Sequence, residues 1–269
     1  MKKRDLALLT DYYELLMMQG LLEKDGGKKI LTCFDVFYRH NPYDNGFAIF
    51  CGLSEIIDYI SNLKFTKDDV DYLRSKNFFD DDFLDYLLNF KFTGSIYAFE
   101  EGSIINKKEP VIKVIANIEE AQLIEGAMLS FFNHESLIAT KSYRICKAAS
   151  PKSVMEFGLR RAQSVDAAIY GAKAACVAGC IGTSNVLCGK MYDLPILGTQ
   201  AHSWIMTFDN EIDAFRAFAK KYPNDCILLV DTYDSINGIK NAIQVFKEMK
   251  AAGIKSKKYG VRLDSGDLA

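Results

Sequence analysis

The second half of the chain repeats one pattern, in which a short apolar run is followed by a polar cluster and then by apolar residues at helical spacing. The unbroken apolar run Cys226–Val230 is typical of a parallel strand that is buried on both faces. After it, apolar residues recur at helical spacing from Ile236 to Met249, and Gly253 predicts the end of that helix. Further strands are predicted at Ser153–Phe157, Cys180–Val186 and Tyr259–Leu263, and further helices at Ser164–Ala178 and Phe208–Tyr222.

Strands that alternate with single helices predict βα units with right-handed crossovers. The first part of the chain follows a different pattern, with a helix predicted near 10–23 and strands at Ile30–Tyr38, Phe92–Glu100 and Val111–Ile115. Carboxylates between residues 68 and 85 alternate with apolar residues and predict solvated helix faces. A long helix, Glu120–Lys147, links the two parts. We therefore predict an α+β domain over residues 1–118 and an α/β domain over residues 119–269.

The end of the chain bears on the architecture. A closed barrel needs about eight strands and roughly 250 residues, whereas four βα strands are predicted here. The last of them is followed by only a few residues, so no helix would cover it. We therefore expect the chain to be the first part of a longer protein, with about half of a (β/α) barrel.

Polar clusters stand at the predicted strand ends, where barrel enzymes place their chemistry. His202 lies in such a cluster and is either a nucleophile or acid/base group, or a capping or core histidine. Arg160 and Arg161 directly follow a strand and suit either bidentate phosphate binding or a surface salt bridge. Arg262 stands beside Asp264, and Asp231 ends the apolar strand, which together suit phosphate, sugar hydroxyls or a hydrated Mg²⁺. The combination points to a phosphorylated, ribose-like substrate.

Composition excludes several classes of protein. The net charge of −2 argues against nucleic acid as an electrostatic partner, and the apolar runs are too short and interrupted to span a membrane. The seven cysteines are an odd number and contain no CxxC pair, which favours a reduced, cytoplasmic protein.

Five motifs, in order along the chain, resemble the nicotinate phosphoribosyltransferase family. They are Thr10-Asp-Tyr-Tyr-Glu14, Phe157-Gly-Leu-Arg-Arg-Ala-Gln163, Gly182-Thr-Ser-Asn-Val-Leu187, Gly198-Thr-Gln-Ala-His-Ser203 and Val261-Arg-Leu-Asp-Ser-Gly-Asp267. The resemblance implies a type II phosphoribosyltransferase, with an N-terminal α+β domain followed by an irregular (β/α) barrel. It also implies that nicotinate and phosphoribosyl pyrophosphate (PRPP) are joined to give nicotinate mononucleotide and pyrophosphate, with ATP hydrolysis coupled to the reaction, in NAD salvage.

The resemblance implies roles for individual residues. His202 would be the histidine that ATP phosphorylates, and Thr199 would lie at the nicotinate. Tyr13 would stack on the nicotinate ring from the partner subunit of a homodimer with shared active sites, and Phe157 would cover the other ring face. The phosphates of PRPP would be held by Arg160 or Arg161 and by Arg262, while Asp231 and Asp264 would lie near the ribose and Mg²⁺.

Ser184 bears on the choice of substrate. In the nicotinamide-using relatives the matching residue is an aspartate, which accepts a hydrogen bond from the amide and would repel a carboxylate. The neutral Ser184 therefore favours nicotinate. Three alternatives stay open at this point: a nicotinamide phosphoribosyltransferase, an inactive fragment or binding subunit of the same fold, and a sugar-phosphate barrel enzyme that does not use ATP.

Overall fold

The structure is a computed structural model that describes residues 5–24, 28–44 and 46–266. Asp267, the last residue of one of the five motifs, lies outside the described residues. The helices within them are α1 (Tyr12–Glu23), α2 (Leu53–Ser61), α3 (Lys67–Arg74), α4 (Asp81–Leu88), α5 (Ile118–Ala149), α6 (Val165–Val177), α7 (Val186–Tyr192), α8 (His202–Met206), α9 (Glu211–Lys221) and α10 (Ser235–Ala251). The strands are β1 (Leu31–Val36), β2 (Ala48–Ile49), β3 (Ser95–Ala98), β4 (Ile104–Ile105), β5 (Ile112–Asn117), β6 (Asp225–Leu229) and β7 (Lys258–Arg262).

The chain divides into two compact units, Met1–Ile196 and Leu197–Ala269. This division concerns compactness and does not test the boundary after residue 118, which stays a prediction. Within the part of the chain that the structure describes, no helix has the length and apolar character needed to cross a membrane.

The first unit contains an antiparallel sheet in the order β1-β5-β3, with Val36 opposite Ile112 and Ser95 opposite Ile115. Along β5, side chains point alternately to opposite faces, so Ile112 and Val114 are buried while Lys113 is exposed. Helix α5 continues directly from β5 and contributes many buried side chains to the same core. Among them are Leu123, Ile124, Ala127, Met128 and Phe132.

Several predictions for this unit are confirmed, and two strands are wrong. The acidic segment forms the two helices α3 and α4, and a reciprocal capping box between Thr66 and Asp69 starts α3. The segments 153–157 and 180–186 do not form strands. They are joined by the single parallel bridge Glu156↔Thr183, and a second bridge pairs Thr183 with Ile196. The side chain of Asn185 accepts a hydrogen bond from the Cys188 amide, and this cap begins α7 where the strand was predicted to continue.

The second unit is built on the parallel pair β6–β7, in which Leu229 lies opposite Arg262. Helices α9 and α10 cover it through a core that includes Phe215, Leu228 and Val245. Gly238, in the first turn of α10, is required by a close approach, because a Cβ atom there would lie 2.1 Å from the Val230 carbonyl oxygen. The first turn of α10 therefore packs directly against the end of β6.

The interior of the first unit contains a cluster of charged side chains around Lys173 of α6. Its Nζ atom lies 2.6 Å from Glu55 Oε2, 2.8 Å from Glu101 Oε1 and 3.1 Å from Glu135 Oε2. The Ser54 hydroxyl oxygen lies at 2.6 Å and completes the contacts of the ammonium group. The ligand atoms of Cys51, Glu101 and Glu135 lie close enough together to hold a metal ion. The ammonium group of Lys173 already supplies the positive charge there, because it contacts both Glu101 and Glu135.

Three carboxylates meet one ammonium group in this cluster, and the pKa values of Glu135 and Glu55 shift in opposite directions. Burial, together with the charge of Glu55, raises the pKa of Glu135 to about 9, against the opposing effect of Lys173. Burial would also raise the pKa of Glu55, but the Lys173 ammonium and the Tyr192 hydroxyl hold that pKa below its ordinary value. Glu135 is therefore protonated at neutral pH, while Glu55 is ionised.

This cluster predicts a pH-dependent effect of Glu135→Gln. Since the pKa of Glu135 is raised on folding, its stabilising contribution is complete below the unfolded-state pKa and is lost as pH rises through about 9. Glutamine cannot ionise, so the free energy of unfolding of the variant should rise relative to that of the parent between pH 5 and pH 9. The upper limit is about 1.4 kcal/mol per pH unit. Urea unfolding at several pH values measures the difference.

The matched control is Glu55→Gln, which removes the ionised partner of Lys173 and should destabilise the protein at neutral as well as alkaline pH. Parallel pH profiles for Glu135→Gln and the parent would contradict the assignment of the proton to Glu135.

Candidate functional site

The second unit brings several of the predicted residues together at the carboxyl ends of β6 and β7. Asp231 and Thr232 come just after β6, separated from it by Val230, while Arg262 ends β7 and Asp264 lies two residues beyond it. Because the two strands are parallel and paired, their ends lie at the same edge and present these side chains side by side.

His202 is the first residue of α8, and its imidazole lies between two polar partners. The Nδ1 atom is 3.1 Å from the Thr232 hydroxyl oxygen, and the Nε2 atom is 3.6 Å from Asp264 Oδ2. The His202 side chain is 34% exposed, so part of the ring is open to solvent. This arrangement orients the imidazole while leaving it accessible to a substrate.

Arg262 connects two other predicted residues. One nitrogen of its guanidinium group donates to the Thr199 hydroxyl at 2.8 Å, and another donates to Asp264 Oδ1. Asp264 therefore contacts both Arg262 and His202, and the positive charge of Arg262 lies next to the histidine pair. An anionic ligand at this edge would meet a guanidinium group that is already oriented.

Asp231 holds the segment that follows β7. Its Oδ2 atom accepts hydrogen bonds from the Asp264 amide at 2.7 Å, the Ser265 amide at 2.7 Å and the Ser265 hydroxyl at 2.8 Å. Partial burial would raise the pKa of Asp231, but these hydrogen bonds to its charged form hold that pKa below the ordinary value. The other oxygen, Oδ1, is buried and has no hydrogen-bond partner among the residues that the structure describes.

The remaining predicted residues lie in the first unit. Phe157 and Ser184 are half-buried and lie on two neighbouring segments, since the Ser184 amide donates to the Glu156 carbonyl oxygen at 3.0 Å. Arg160 and Arg161 are exposed in a short 3-10 turn, Leu159–Arg161. Neither guanidinium group forms an ion pair with any residue in the described part of the chain, so the surface salt bridge considered above is not formed there.

Tyr13 is 52% exposed on α1, where Tyr12, Leu16 and Met17 form an exposed apolar surface with it. A hydrogen bond with Glu14, and the negative charge of that carboxylate, raise the pKa of Tyr13. The phenol is therefore neutral at physiological pH. An exposed aromatic ring in an apolar surface suits contact with a ligand or a second chain.

Two protein-family models match the chain. The nicotinate phosphoribosyltransferase N-terminal domain matches residues 8–133, and the nicotinate phosphoribosyltransferase family model matches residues 152–269. The two models follow each other in order and together match most of the chain. The chain belongs to the nicotinate phosphoribosyltransferase family.

Individual relatives agree with this family. A nicotinate phosphoribosyltransferase of Bacillus subtilis is 42% identical over 269 residues, which are 100% of this chain and 54% of that protein. The crystal structure of human nicotinic acid phosphoribosyltransferase has a TM-score of 0.87 at 27% identity, and covers 96% of this chain and 61% of its own. A nicotinate-nucleotide pyrophosphorylase from Pyrococcus furiosus has a TM-score of 0.74 at 25% identity, over 99% of this chain and 60% of its own.

These matches confirm the fold that the sequence motifs imply, an N-terminal domain followed by the start of the catalytic domain of a type II phosphoribosyltransferase. The chain spans about half the length of the curated nicotinate phosphoribosyltransferases that it matches. The roles of the individual site residues stay predictions.

The sequence interpretation did not single out Thr232 or Glu156. Thr232 contacts the imidazole of His202, and its position directly after a strand-ending aspartate is the signal that points to it. Glu156 directly precedes Phe157, and its carboxylate lies within hydrogen-bond distance of the Thr183 hydroxyl. Glu156 stands in no sequence pattern that by itself indicates a function.

The contacts of Asp231 predict the behaviour of Asp231→Asn. Hydrogen bonds to a charged acceptor contribute about 1.5–3 kcal/mol each, so the neutral amide should release the segment after β7. We expect the amide hydrogens of Asp264 and Ser265 to exchange at least about tenfold faster at pH 7. In the parent, protection should be present above the ordinary pKa of aspartate and be lost as pH falls through the lowered pKa of Asp231. Hydrogen exchange followed by mass spectrometry measures both effects.

Asp234→Asn is the matched control. Asp234 caps α10 by accepting a hydrogen bond from the Asn237 amide, and asparagine caps a helix equally well. Unchanged exchange at Asp264 and Ser265 in Asp231→Asn would show that the carboxylate does not hold this segment.

Proposed function

We propose that the protein to which this chain belongs joins nicotinate to PRPP, releasing nicotinate mononucleotide and pyrophosphate, and couples this reaction to ATP hydrolysis through a phosphohistidine at His202. Its place would be in NAD biosynthesis by salvage. The names of the relatives in Bacillus subtilis and human support this activity. Because the chain spans about half of its curated relatives, the activity is proposed for the whole protein.

The observation that carries the proposal is the arrangement around His202. A phosphoryl acceptor needs one ring nitrogen held by a partner and the other nitrogen within reach of the donor. In His202, Nδ1 lies 3.1 Å from the Thr232 hydroxyl oxygen, Nε2 lies 3.6 Å from Asp264 Oδ2, beyond hydrogen-bond distance, and the side chain is partly exposed. Arg262 adds a positive charge beside this pair, which suits a phosphate group. The generic sugar-phosphate enzyme without ATP explains the arginines but gives His202 no particular role.

The other predicted residues have roles that fit their chemistry. Thr199 would contact nicotinate, and Phe157 would cover one face of its ring. Tyr13 would cover the other face from the partner subunit of a homodimer, and its exposed apolar surroundings on α1 support such a contact.

The charged residues would serve the phosphoribosyl group. Arg160 or Arg161, together with Arg262, would bind the phosphates of PRPP, because guanidinium groups match phosphate oxygens in a bidentate geometry. Cleavage of the bond between C1′ and pyrophosphate leaves a positively charged ribosyl centre and a negatively charged leaving group. Fixed charges of both signs at the site would stabilise this separation.

The carboxylates also fit a magnesium ion. The buried Oδ1 atom of Asp231 lacks a hydrogen-bond partner among the described residues, and carboxylate oxygens are preferred Mg²⁺ ligands. We propose that Asp231, with Asp264 nearby, holds Mg²⁺ directly or through water. The ion would neutralise charge on the pyrophosphate group. The two oxygens of Asp264 also lie near His202 and pair with Arg262.

We also propose that the protein acts in the cytoplasm and binds neither nucleic acid nor membranes. The odd number of cysteines without a CxxC pair supports a reducing compartment, and the nearly balanced charge supports small-molecule partners.

The first prediction of this proposal concerns nicotinate mononucleotide formation from nicotinate and PRPP, measured with and without Mg·ATP. The longer protein that contains this chain should turn over and be stimulated by ATP, whereas this chain alone should not turn over. His202→Ala in the longer protein should abolish histidine phosphorylation and ATP hydrolysis, while slow formation of product without ATP persists.

His40→Ala is the matched control, because His40 is an exposed histidine in the first unit. Intact ATP hydrolysis in His202→Ala would refute the phosphohistidine role. Absence of turnover in the folded longer protein would favour the inactive binding subunit.

The second prediction concerns the choice between nicotinate and nicotinamide. Ser184→Asp adds a carboxylate that repels nicotinate and can accept a hydrogen bond from the amide of nicotinamide. We expect the ratio of kcat/KM for nicotinate over nicotinamide to fall at least about tenfold, the equivalent of about 1.4 kcal/mol. Ser184→Asn, which has nearly the same size without charge, is the control. An unchanged ratio in Ser184→Asp would remove the reason for preferring nicotinate over the nicotinamide alternative.

A further inference from the structure

The carboxylate of Glu156 connects the two segments that carry Phe157 and Ser184. Its Oε2 atom accepts a hydrogen bond from the Thr183 hydroxyl at 2.5 Å, and its Oε1 atom accepts one from the Gly158 amide. The backbone of Glu156 joins the same segments, because its amide donates to the Gly182 carbonyl oxygen and its own carbonyl oxygen accepts from the Ser184 amide, both at 3.0 Å. Glu156 therefore holds both segments through side chain and backbone.

The path of hydrogen bonds continues from Thr183 into two helices. Thr183 is fully buried, and its hydroxyl oxygen accepts a hydrogen bond from the Asn185 amide at 2.9 Å. The side chain of Asn185 in turn caps α7 at the Cys188 amide and donates to the Ala168 carbonyl oxygen of α6 at 3.2 Å. A hydroxyl group has one proton, and Thr183 donates it to Glu156. The carboxylate is thus the acceptor at the end of a continuous network.

Gly158 shows how closely the carboxylate lies against the backbone. A Cβ atom at this position would lie 2.7 Å from Glu156 Oε1. The backbone φ of Gly158 is −86°, which any residue adopts, so a larger side chain here would displace the Glu156 carboxylate rather than strain the backbone. The Glu156 carboxylate therefore lies directly against the backbone of Gly158.

We propose that Glu156 and Thr183 are positioning residues for the aromatic ring of the substrate, and that their hydrogen bond fixes Phe157 and Ser184 relative to each other. This inference rests on the proposed function, in which Phe157 covers the nicotinate ring and Ser184 distinguishes acid from amide. A planar ring binds well only when the residue that covers its face and the residue that contacts its polar group are held at a fixed separation. Glu156 directly precedes Phe157, and Thr183 directly precedes Ser184.

The experiment compares Thr183→Val with Thr183→Ser in the longer protein. Valine keeps the shape of threonine but removes the hydroxyl, whereas serine keeps the hydroxyl. For Thr183→Val we expect the KM for nicotinate to rise about tenfold or more, while the KM for PRPP changes less than about threefold. Thr183→Ser should restore the KM for nicotinate to within about threefold of the parent. ATP-dependent phosphorylation of His202 should persist in both variants.

Thr93→Val is the matched control, because the Thr93 hydroxyl donates to Glu120 at 2.8 Å and forms the same kind of threonine–glutamate pair away from Phe157 and Ser184. It should leave the KM for nicotinate unchanged. Gly158→Ala should reproduce the effect of Thr183→Val, because its methyl group displaces the Glu156 carboxylate. Equal changes in the KM values for both substrates, or no change in Thr183→Val, would overturn the proposal.

A second measurement does not depend on turnover. Amide hydrogen exchange at Gly158 and Ser184 should be at least about tenfold faster in Thr183→Val than in Thr183→Ser, since both amides donate to Glu156. If the longer protein lacks the proposed activity, faster exchange still supports the positioning network, and the failure belongs to the proposed function. Equal exchange in the two variants would overturn the positioning role in either case.

Discussion

The first unit depends on the buried ammonium group of Lys173. Three carboxylates from separate parts of the chain converge on it, and one of them, Glu101, also accepts a hydrogen bond from the Gly52 amide at the start of α2 at 2.7 Å. Burying these groups costs several kcal/mol per ion, and only the ion pairs and hydrogen bonds among them offset that cost. The cluster therefore fixes α2 and α5 against α6. Three residues separate helix α6 from the turn that carries Arg160 and Arg161.

The second unit holds its charged groups by a different means. Arg262, Asp264 and His202 are partly exposed, so desolvation is small and no single buried ion organises them. Backbone groups take that role. The amides after β7 donate to Asp231, and the absence of a side chain at Gly238 lets α10 pack directly against the end of β6. The proposed chemistry thus uses side chains that are oriented by the backbone and still accessible to substrates.

Sequence patterns predicted the elements whose signal is local. Helical spacing located α5, α6 and α10 to within a few residues, and the apolar run before Asp231 located β6. The strand predicted at 180–186 was wrong, since only Thr183 forms parallel bridges and Asn185 caps a helix at the end of the segment, against the β propensity of the following valine. The Lys173 cluster could not be predicted. Its partners are 38, 72 and 118 residues away, and only the tertiary fold brings them together.

The candidate site shows the same difference between local signals and contacts that only the tertiary fold creates. The rule that polar residues gather at parallel strand ends was sufficient to group Asp231, Arg262 and Asp264. It did not identify Thr232, whose contact with His202 depends on where α8 begins relative to β6. It also did not identify Glu156, because a glutamate before a phenylalanine has no distinctive pattern in one sequence. Such residues become visible only through their distances to others.

The pairing of β6 with β7 has a consequence for how this part of the chain can vary. Leu229 lies opposite Arg262, and this alignment sets the spacing between Asp231 and the residues that follow β7. A shift of one residue would turn Arg262 to the opposite face of the sheet and away from Thr199. Insertions between α10 and β7, at residues 252–257, leave the alignment intact, whereas one deletion inside either strand breaks it. The pairing of the two strands therefore fixes the spacing of the charged residues, and the loop that precedes β7 can change in length without altering it.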